Sequence, residues 1–310
     1  MEALKGLAQV SDPEVSEIPG VFNSFLGPDP LNLLGVVLLT SLGTWGLPQM
    51  VQKFYAIKSE KAINKGMIIS TLFALVVAGG CYFLGGFGRL FSDRIDLASG
   101  GYDSIIPTML SDLSPFLISV VVILVLSASM STLSSLALAS SSTLTLDFIK
   151  GTLIKELDTK KQLLIIRVLI AVFIAISVVI AIVQYQSNVT FIAQLMGVSW
   201  GALAGAFLAP FLYGLYWKRA TGASVWVSFL FSTLVMLLNM TVKQIFPPLL
   251  QSPINAGVFC MLAGLVIVPA VSLFTKPPKQ THIRHVFACY DKKVVVSVTD
   301  AIGEPVNKEE

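Results

Sequence analysis

Between Val120 and Phe148 the chain is apolar enough to cross a bilayer, yet hydroxyl side chains crowd its middle. The run Leu126-Ser-Ala-Ser-Met-Ser-Thr-Leu-Ser-Ser135 is followed by Ser140-Ser-Ser-Thr-Leu-Thr145, with no charge before Asp147. Small hydroxyl residues in lipid either let helices approach closely or offer oxygens to something polar. Helical spacing puts the Ala128 carbonyl near the hydroxyls of Ser131 and Thr132 on one face. Three uncharged oxygens of this kind could form part of a shell for sodium, replacing its hydration without burying a counter-charge. The same pattern equally describes a small-residue packing face whose hydroxyls bond back to their own helix. The spacing leaves both readings open.

A second cluster is Leu42-Gly-Thr-Trp-Gly-Leu-Pro-Gln-Met50. Gly43, Gly46 and Pro48 within one apolar stretch predict a broken helix, because proline lacks an amide donor and clashes with the preceding turn. Freed backbone groups at bilayer depth survive only where they line a cavity or find protein partners. Discontinuous helices are where secondary transporters bind solute; a Pro-kinked structural helix is the alternative. Gly201-Ala-Leu-Ala-Gly205 predicts a close helix contact. Tyr213, Tyr216 and Trp217 beside Lys218-Arg219 mark a membrane interface. Arg167, near a helix end, snorkels. Asn188-Val-Thr190 and Asn239-Met-Thr241 match the glycosylation pattern, the second within the membrane.

The absences narrow the function. No apolar stretch holds a central carboxylate, Lys or His, so a proton relay has no carrier. No His or Lys base accompanies the serines, and no phosphate-binding Gly-Lys-Ser/Thr loop occurs, which argues against a membrane enzyme or an ATP-driven pump. Cys81, Cys260 and Cys289 have neither disulfide nor metal spacing. The net charge of +3 gives no reason to expect a nucleic-acid partner.

These residues must be positioned by membrane helices. The 310 residues are 55% hydrophobic and only 13% charged, and a core so apolar needs the lipid bilayer as its solvent. The fold class is all-α and polytopic. Seven stretches are long enough to span, at about 20 apolar residues each: 31–52, 66–91, 115–148, 162–185, 189–217, 221–243 and 254–275. Residues 101–110 predict a short surface helix, and 292–299 a lone strand. Lys and Arg concentrate in 53–65, 149–161, 218–220 and 276–279, which the positive-inside rule places in the cytoplasm. The domain division is an extracellular polar segment 1–30, a transmembrane domain 31–275 and a cytoplasmic tail 276–310. The N-terminus would lie outside, the C-terminus inside, in the plasma membrane. An outward N-terminus without a leader hints at further spans upstream.

Three blocks carry a resemblance. They are Gly43-Thr-Trp-Gly-Leu-Pro-Gln-Met-Val-Gln-Lys-Phe-Tyr-Ala56, the pair Ala128–Ser135 and Ser141–Asp147, and Pro210-Phe-Leu-Tyr-Gly-Leu-Tyr-Trp-Lys-Arg-Ala-Thr-Gly-Ala223. In this order they resemble the sodium/solute symporter family over residues of about 30–275. The resemblance implies the inverted-repeat fold of the bacterial leucine transporter, with the second repeat at about 31–217 and extra helices at about 221–275. It implies that the Ala128 carbonyl, Ser131 and Thr132 are sodium ligands, with Na+ as coupling ion. It implies that Thr40, Thr44, Trp45 and Pro48 face the solute cavity. The solute would be small and polar: an amino acid, organic acid or sugar. Thr40, Thr44 and Leu47 depart from proline-transporting members, so proline itself is not implied. The first repeat has no counterpart here, and a missing N-terminal half is expected in the complete protein. Sodium-coupled symport by alternating access is therefore the expectation. A non-transporting scaffold or sensor derived from a transporter is the alternative.

Overall fold

The computed structural model describes residues 2–10, 15–54, 57, 60–95, 102–154, 157–187 and 192–291. Among them the chain is helical, with no strand; the expected strand at 292–299 and Asn188 lie outside the described residues. The helices are α1 (Glu2–Gln9), α2 (Pro30–Ser41), α3 (Pro48–Phe54), α4 (Glu60–Gly86), α5 (Ile105–Leu110), α6 (Pro115–Thr143), α7 (Thr159–Ser187), α8 (Ile192–Tyr216), α9 (Gly222–Thr241), α10 (Pro253–Phe274) and α11 (Gln280–Phe287). The last turns of α6 widen into a π-helix, Leu144–Leu153. Among the described residues six segments are long and apolar enough to span: 62–91, 115–153, 159–186, 194–216, 222–241 and 253–274. The first of the seven expected spans is instead a shorter apolar helix, Pro30–Gly46.

Helix starts follow local chemistry. Asp29 caps α2, its carboxylate accepting from the Asn32 amide at 3.0 Å, with Pro30 in the first turn. Ser114 and Thr221 cap α6 and α9 in the same way. An oxygen at the N-cap satisfies an amide the helix cannot, and proline costs nothing where no donor is needed.

The chain forms two compact units: residues 1–12, 17–20 and 85–192, and residues 13–16, 21–84 and 193–310. In the first unit α6 packs against α7. The small residues Ala137, Ser141 and Thr145, four apart, form a buried stripe on α6 and its π-helical extension. Ser141 donates to the Ala137 carbonyl and Thr145 to the Ser141 carbonyl, both at 2.7 Å. The second hydroxyl cluster therefore does the packing job.

In the second unit α8, α9 and α10 form the best-buried kernel. Their most apolar stretches are 39%, 28% and 39% buried, whereas those of α4, α6 and α7 contain no buried residue. Glycines permit the close crossing. A Cβ at Gly201 would lie 2.7 Å from the Gly257 Cα, and one at Gly205 would lie 2.7 Å from the Cys260 Cβ. The close contact expected of Gly201-x-x-x-Gly205 is thus made with α10. On α9, Ser224, Ser228 and Ser232 are fully buried at four-residue spacing. Ser272 of α10 donates to the Ser224 hydroxyl at 2.8 Å and accepts from the Thr221 amide at 3.3 Å. The Ser228 and Ser232 hydroxyls have no hydrogen-bond partner among the described residues.

Tyr213, expected in an interface belt, turns inward. Its hydroxyl donates to the Leu265 carbonyl of α10 at 2.9 Å. Pro269 stands four residues beyond Leu265 and has no amide to offer that carbonyl. The tyrosine supplies the missing donor from a neighbouring helix, as the membrane interior demands.

Candidate functional site

The break expected at 43–48 is present. α2 ends at Ser41, residues Gly43–Gly46 make one 3-10 turn, and Leu47 is extended, with ψ of 117°. Helix α3 starts at Pro48, which has no amide for the Thr44 carbonyl; the Leu47 amide approaches that carbonyl at 3.4 Å. The break is seated on α8. A Cβ at Gly46 would lie 2.9 Å from the Ala204 Cα and 3.0 Å from the Leu208 Cβ. Glycine is needed here for close backbone approach. Leu39 and Leu47 are fully buried. Leu39 packs with Ala204, Leu208, Ile254, Val258 and Met261 in one apolar cluster.

Around this break the four residues assigned to the solute cavity differ in freedom. Thr40 is half-buried and donates to the Val36 carbonyl at 2.8 Å. Thr44, also half-buried, donates to the Ser41 carbonyl at 2.9 Å. Trp45 is 59% exposed although Gly43, Gly46 and Leu47 beside it are buried. Pro48 is exposed. The turn therefore buries its small residues and leaves the indole outside.

On α6, Ala128, Ser131 and Thr132 are all exposed. The Thr132 hydroxyl donates to the Ala128 carbonyl at 3.0 Å, so these two oxygens stand side by side. The donor spends its proton on the carbonyl and keeps its lone pairs. The Ser131 hydroxyl has no hydrogen-bond partner among the described residues. α6 alone supplies three oxygens and no enclosure, fewer than a dehydrated cation requires. Ala128, Ser131 and Thr132 belong to the first compact unit and the helix break to the second.

The sequence pattern assigned no role to the α9 serines and matched Asn239 only to a glycosylation pattern within the membrane. Asn239 is fully buried and donates to the Leu250 carbonyl at 2.7 Å, which makes it a packing group inside the protein and no surface glycosylation acceptor. The serines' four-residue period was the available signal. Among the described residues no cluster of His, Cys, Asp and Glu could hold a metal.

Among the described residues, six helices long and apolar enough to span, together with the shorter broken helix Pro30–Gly46, define a multi-pass helical membrane protein. The chain belongs to the sodium:solute symporter family, whose model matches residues 10–245. It is 24% identical to the osmoregulated proline transporter OpuE of Bacillus subtilis over 86% of this chain and 52% of that protein. It is 27% identical to the sodium/proline symporter of Staphylococcus aureus over 84% of this chain and 51% of that one. The monocarboxylic acid transporter of Corynebacterium glutamicum is 25% identical over 69% of this chain and 40% of its own. The chain spans about half the length of these relatives. No solved structure matches it.

Proposed function

We propose that this chain carries the sodium-ligating and part of the solute-binding elements of a sodium-coupled symporter for a small polar organic solute. The observation that carries the reading is the pairing of the Ala128 carbonyl and the Thr132 hydroxyl, 3.0 Å apart on an uncharged spanning helix, with the unpartnered Ser131 beside them. Neutral oxygens suit a monovalent cation, and family membership supports Na+ as the coupling ion. The exposed Trp45, with Thr40, Thr44 and Pro48 at the helix break, contacts the solute. Relatives named for proline and for monocarboxylic acids support the class of small organic molecules.

Transport proceeds by alternating access. Sodium binding from outside favours the outward-open state, solute then binds at the break, and the inward path opens. Coupling requires that each ligand bind one conformation more tightly than the other. The N-terminus lies outside and the C-terminus in the cytoplasm, following the Lys and Arg of 53–65, 149–161, 218–220 and 276–279. The division into a polar segment 1–30, a transmembrane domain 31–275 and a tail 276–310 goes with this orientation.

The test is uptake of labelled proline and labelled monocarboxylate into proteoliposomes holding the complete protein, driven by a sodium gradient. Losing two ligand oxygens in Ser131→Ala/Thr132→Ala should raise the half-saturating sodium concentration at least about tenfold, an increment of roughly 1.4 kcal/mol. An unchanged sodium dependence in that double variant would remove the cation site.

A further inference from the structure

The C-terminal helix is moored to the ends of the spanning helices. α11 is amphipathic: Ile283, Val286 and Phe287 share one stripe at three- and four-residue spacing, continued by Tyr290 in the 3-10 turn Ala288–Asp291. The Tyr290 hydroxyl donates to the Leu215 carbonyl at 2.8 Å. That carbonyl lies in the last turn of α8, where the helix leaves acceptors unanswered. Phe287 stacks on Tyr290, with centroids 5.7 Å apart, and the Lys218 ammonium sits 5.5 Å from the Phe287 centroid. Arg219 donates to the Leu273 carbonyl at 3.1 Å, and Thr221 and Thr275 share a hydrogen bond of 2.8 Å. The end of α8, the start of α9, the end of α10 and α11 therefore meet at one face.

That face is cationic and only partly covered. Lys218, Arg219, Lys276, Lys279 and Arg284 lie on it, and no carboxylate occurs in the sequence between Asp158 and Asp291. His282 and His285 are exposed there as well. The apolar stripe stays half open to its surroundings, with Val286 45% and Tyr290 59% exposed, and Phe274 at the end of α10 is 92% exposed. An uncompensated positive charge beside open apolar side chains, at the level where spanning helices end, is complementary to one environment. It is the anionic headgroup layer of the bilayer, which receives the apolar stripe and the charges together.

We propose that α11, together with Lys218, Arg219, Lys276 and Lys279, docks on anionic phospholipid headgroups at the membrane surface where α8 and α10 end. The dock is independent of the cation and solute sites. The Tyr290–Leu215 bond holds the helix in the headgroup plane, the apolar stripe enters the acyl boundary, and the basic side chains reach the lipid phosphates.

Cys289 is exposed and reports the docking. With Cys81→Ser removing the other exposed thiol, a bimane probe on Cys289 of the full chain would be examined in phosphatidylcholine vesicles with and without phosphatidylglycerol. Quenching by headgroup spin-labelled lipid is compared with quenching by aqueous iodide. Phosphatidylglycerol should raise lipid quenching and lower iodide quenching, and high salt should reverse both. In Lys276→Gln/Lys279→Gln/Arg284→Gln the ratio of docked to free helix should fall about fivefold per charge removed. These side chains are exposed, so the fold should survive, and an unaltered unfolding temperature checks it. Equal quenching in both lipids overturns the proposal in favour of purely apolar anchoring. The same response to inorganic phosphate in phosphatidylcholine alone overturns it in favour of free-anion binding. Persistent iodide access in phosphatidylglycerol overturns it in favour of a helix turned to water or to another protein.

Discussion

The tyrosine bridge between α8 and α10 offers a sharp test of how this membrane interior is satisfied. Pro269 deprives the Leu265 carbonyl of its intrahelical donor, and the Tyr213 hydroxyl replaces that donor at 2.9 Å. Tyr213→Phe deletes the hydroxyl and keeps the ring, which stands edge-on to Trp217 at 5.7 Å. A buried acceptor left unanswered costs about 1–3 kcal/mol in soluble proteins. Hydrogen bonds between membrane helices average about 0.6 kcal/mol and reach about 1.7. Leu265 is half-buried, so the expected loss is about 1 kcal/mol, or roughly 2–4 °C in unfolding temperature. In a Pro269→Ala background the new amide at position 269 can serve the Leu265 carbonyl itself, and Tyr213→Phe should then cost close to nothing. The coupling in this double-mutant cycle should be about 1 kcal/mol. The assay is thermal unfolding in detergent followed by a thiol-reactive dye. Buried Cys260 is the reporter, and the exposed Cys81 and Cys289 are replaced by Ser. An equal effect of Tyr213→Phe with and without Pro269 would refute the reasoning, because the tyrosine would then not be standing in for a missing amide.

Gly201→Ala places a Cβ 2.7 Å from the Gly257 Cα, where only backbone movement can relieve it. It should destabilise by about 1–3 kcal/mol, while Gly79→Ala on α4, with nothing within 4 Å, should be neutral or gain up to about 1 kcal/mol of helix propensity. The same unfolding assay ranks the two, and the reverse order would sink the glycine-contact account. Ser272→Ala strips the Thr221 amide of its acceptor and removes the bond donated to the Ser224 hydroxyl, which keeps its own bond to the Thr221 carbonyl, and should cost about 1 kcal/mol. Ser228→Ala removes a hydroxyl that has no hydrogen-bond partner among the described residues and should lie within about 0.5 kcal/mol of the parent. Pro48→Ala restores the amide whose absence holds the helix open at Leu47; sodium-driven uptake by the complete protein should drop at least about tenfold with membrane levels retained. Normal uptake in that variant would separate the break from transport.

The hydroxyl-rich span shows where sequence reading stops. Composition could say that Ser127–Ser135 and Ser140–Thr145 lie at membrane depth, but not which cluster packs and which stays open. Folding divides them: Ala137, Ser141 and Thr145 are buried, whereas Ala128, Ser131 and Thr132 are exposed. Both clusters bond back to their own helix, so hydrogen bonding alone does not separate the two roles. Tyr213 makes the same point. Beside Lys218 it reads as an interface residue, and only the position of Pro269 on another helix turns its hydroxyl inward.

Residue types and their order alone settled that this is a helical membrane protein, that the helix is perturbed between Gly43 and Pro48, and that its family is readable from three short blocks. Those properties follow from what a side chain or a missing amide does to its own segment in lipid. Tertiary structure alone decided that Gly46 rests on Ala204, that Gly201 meets Gly257, and that Tyr290 ties α11 to α8. Each of those depends on atoms far apart in the chain arriving within a few ångströms, and an apolar pattern states that a face must be covered without naming what covers it.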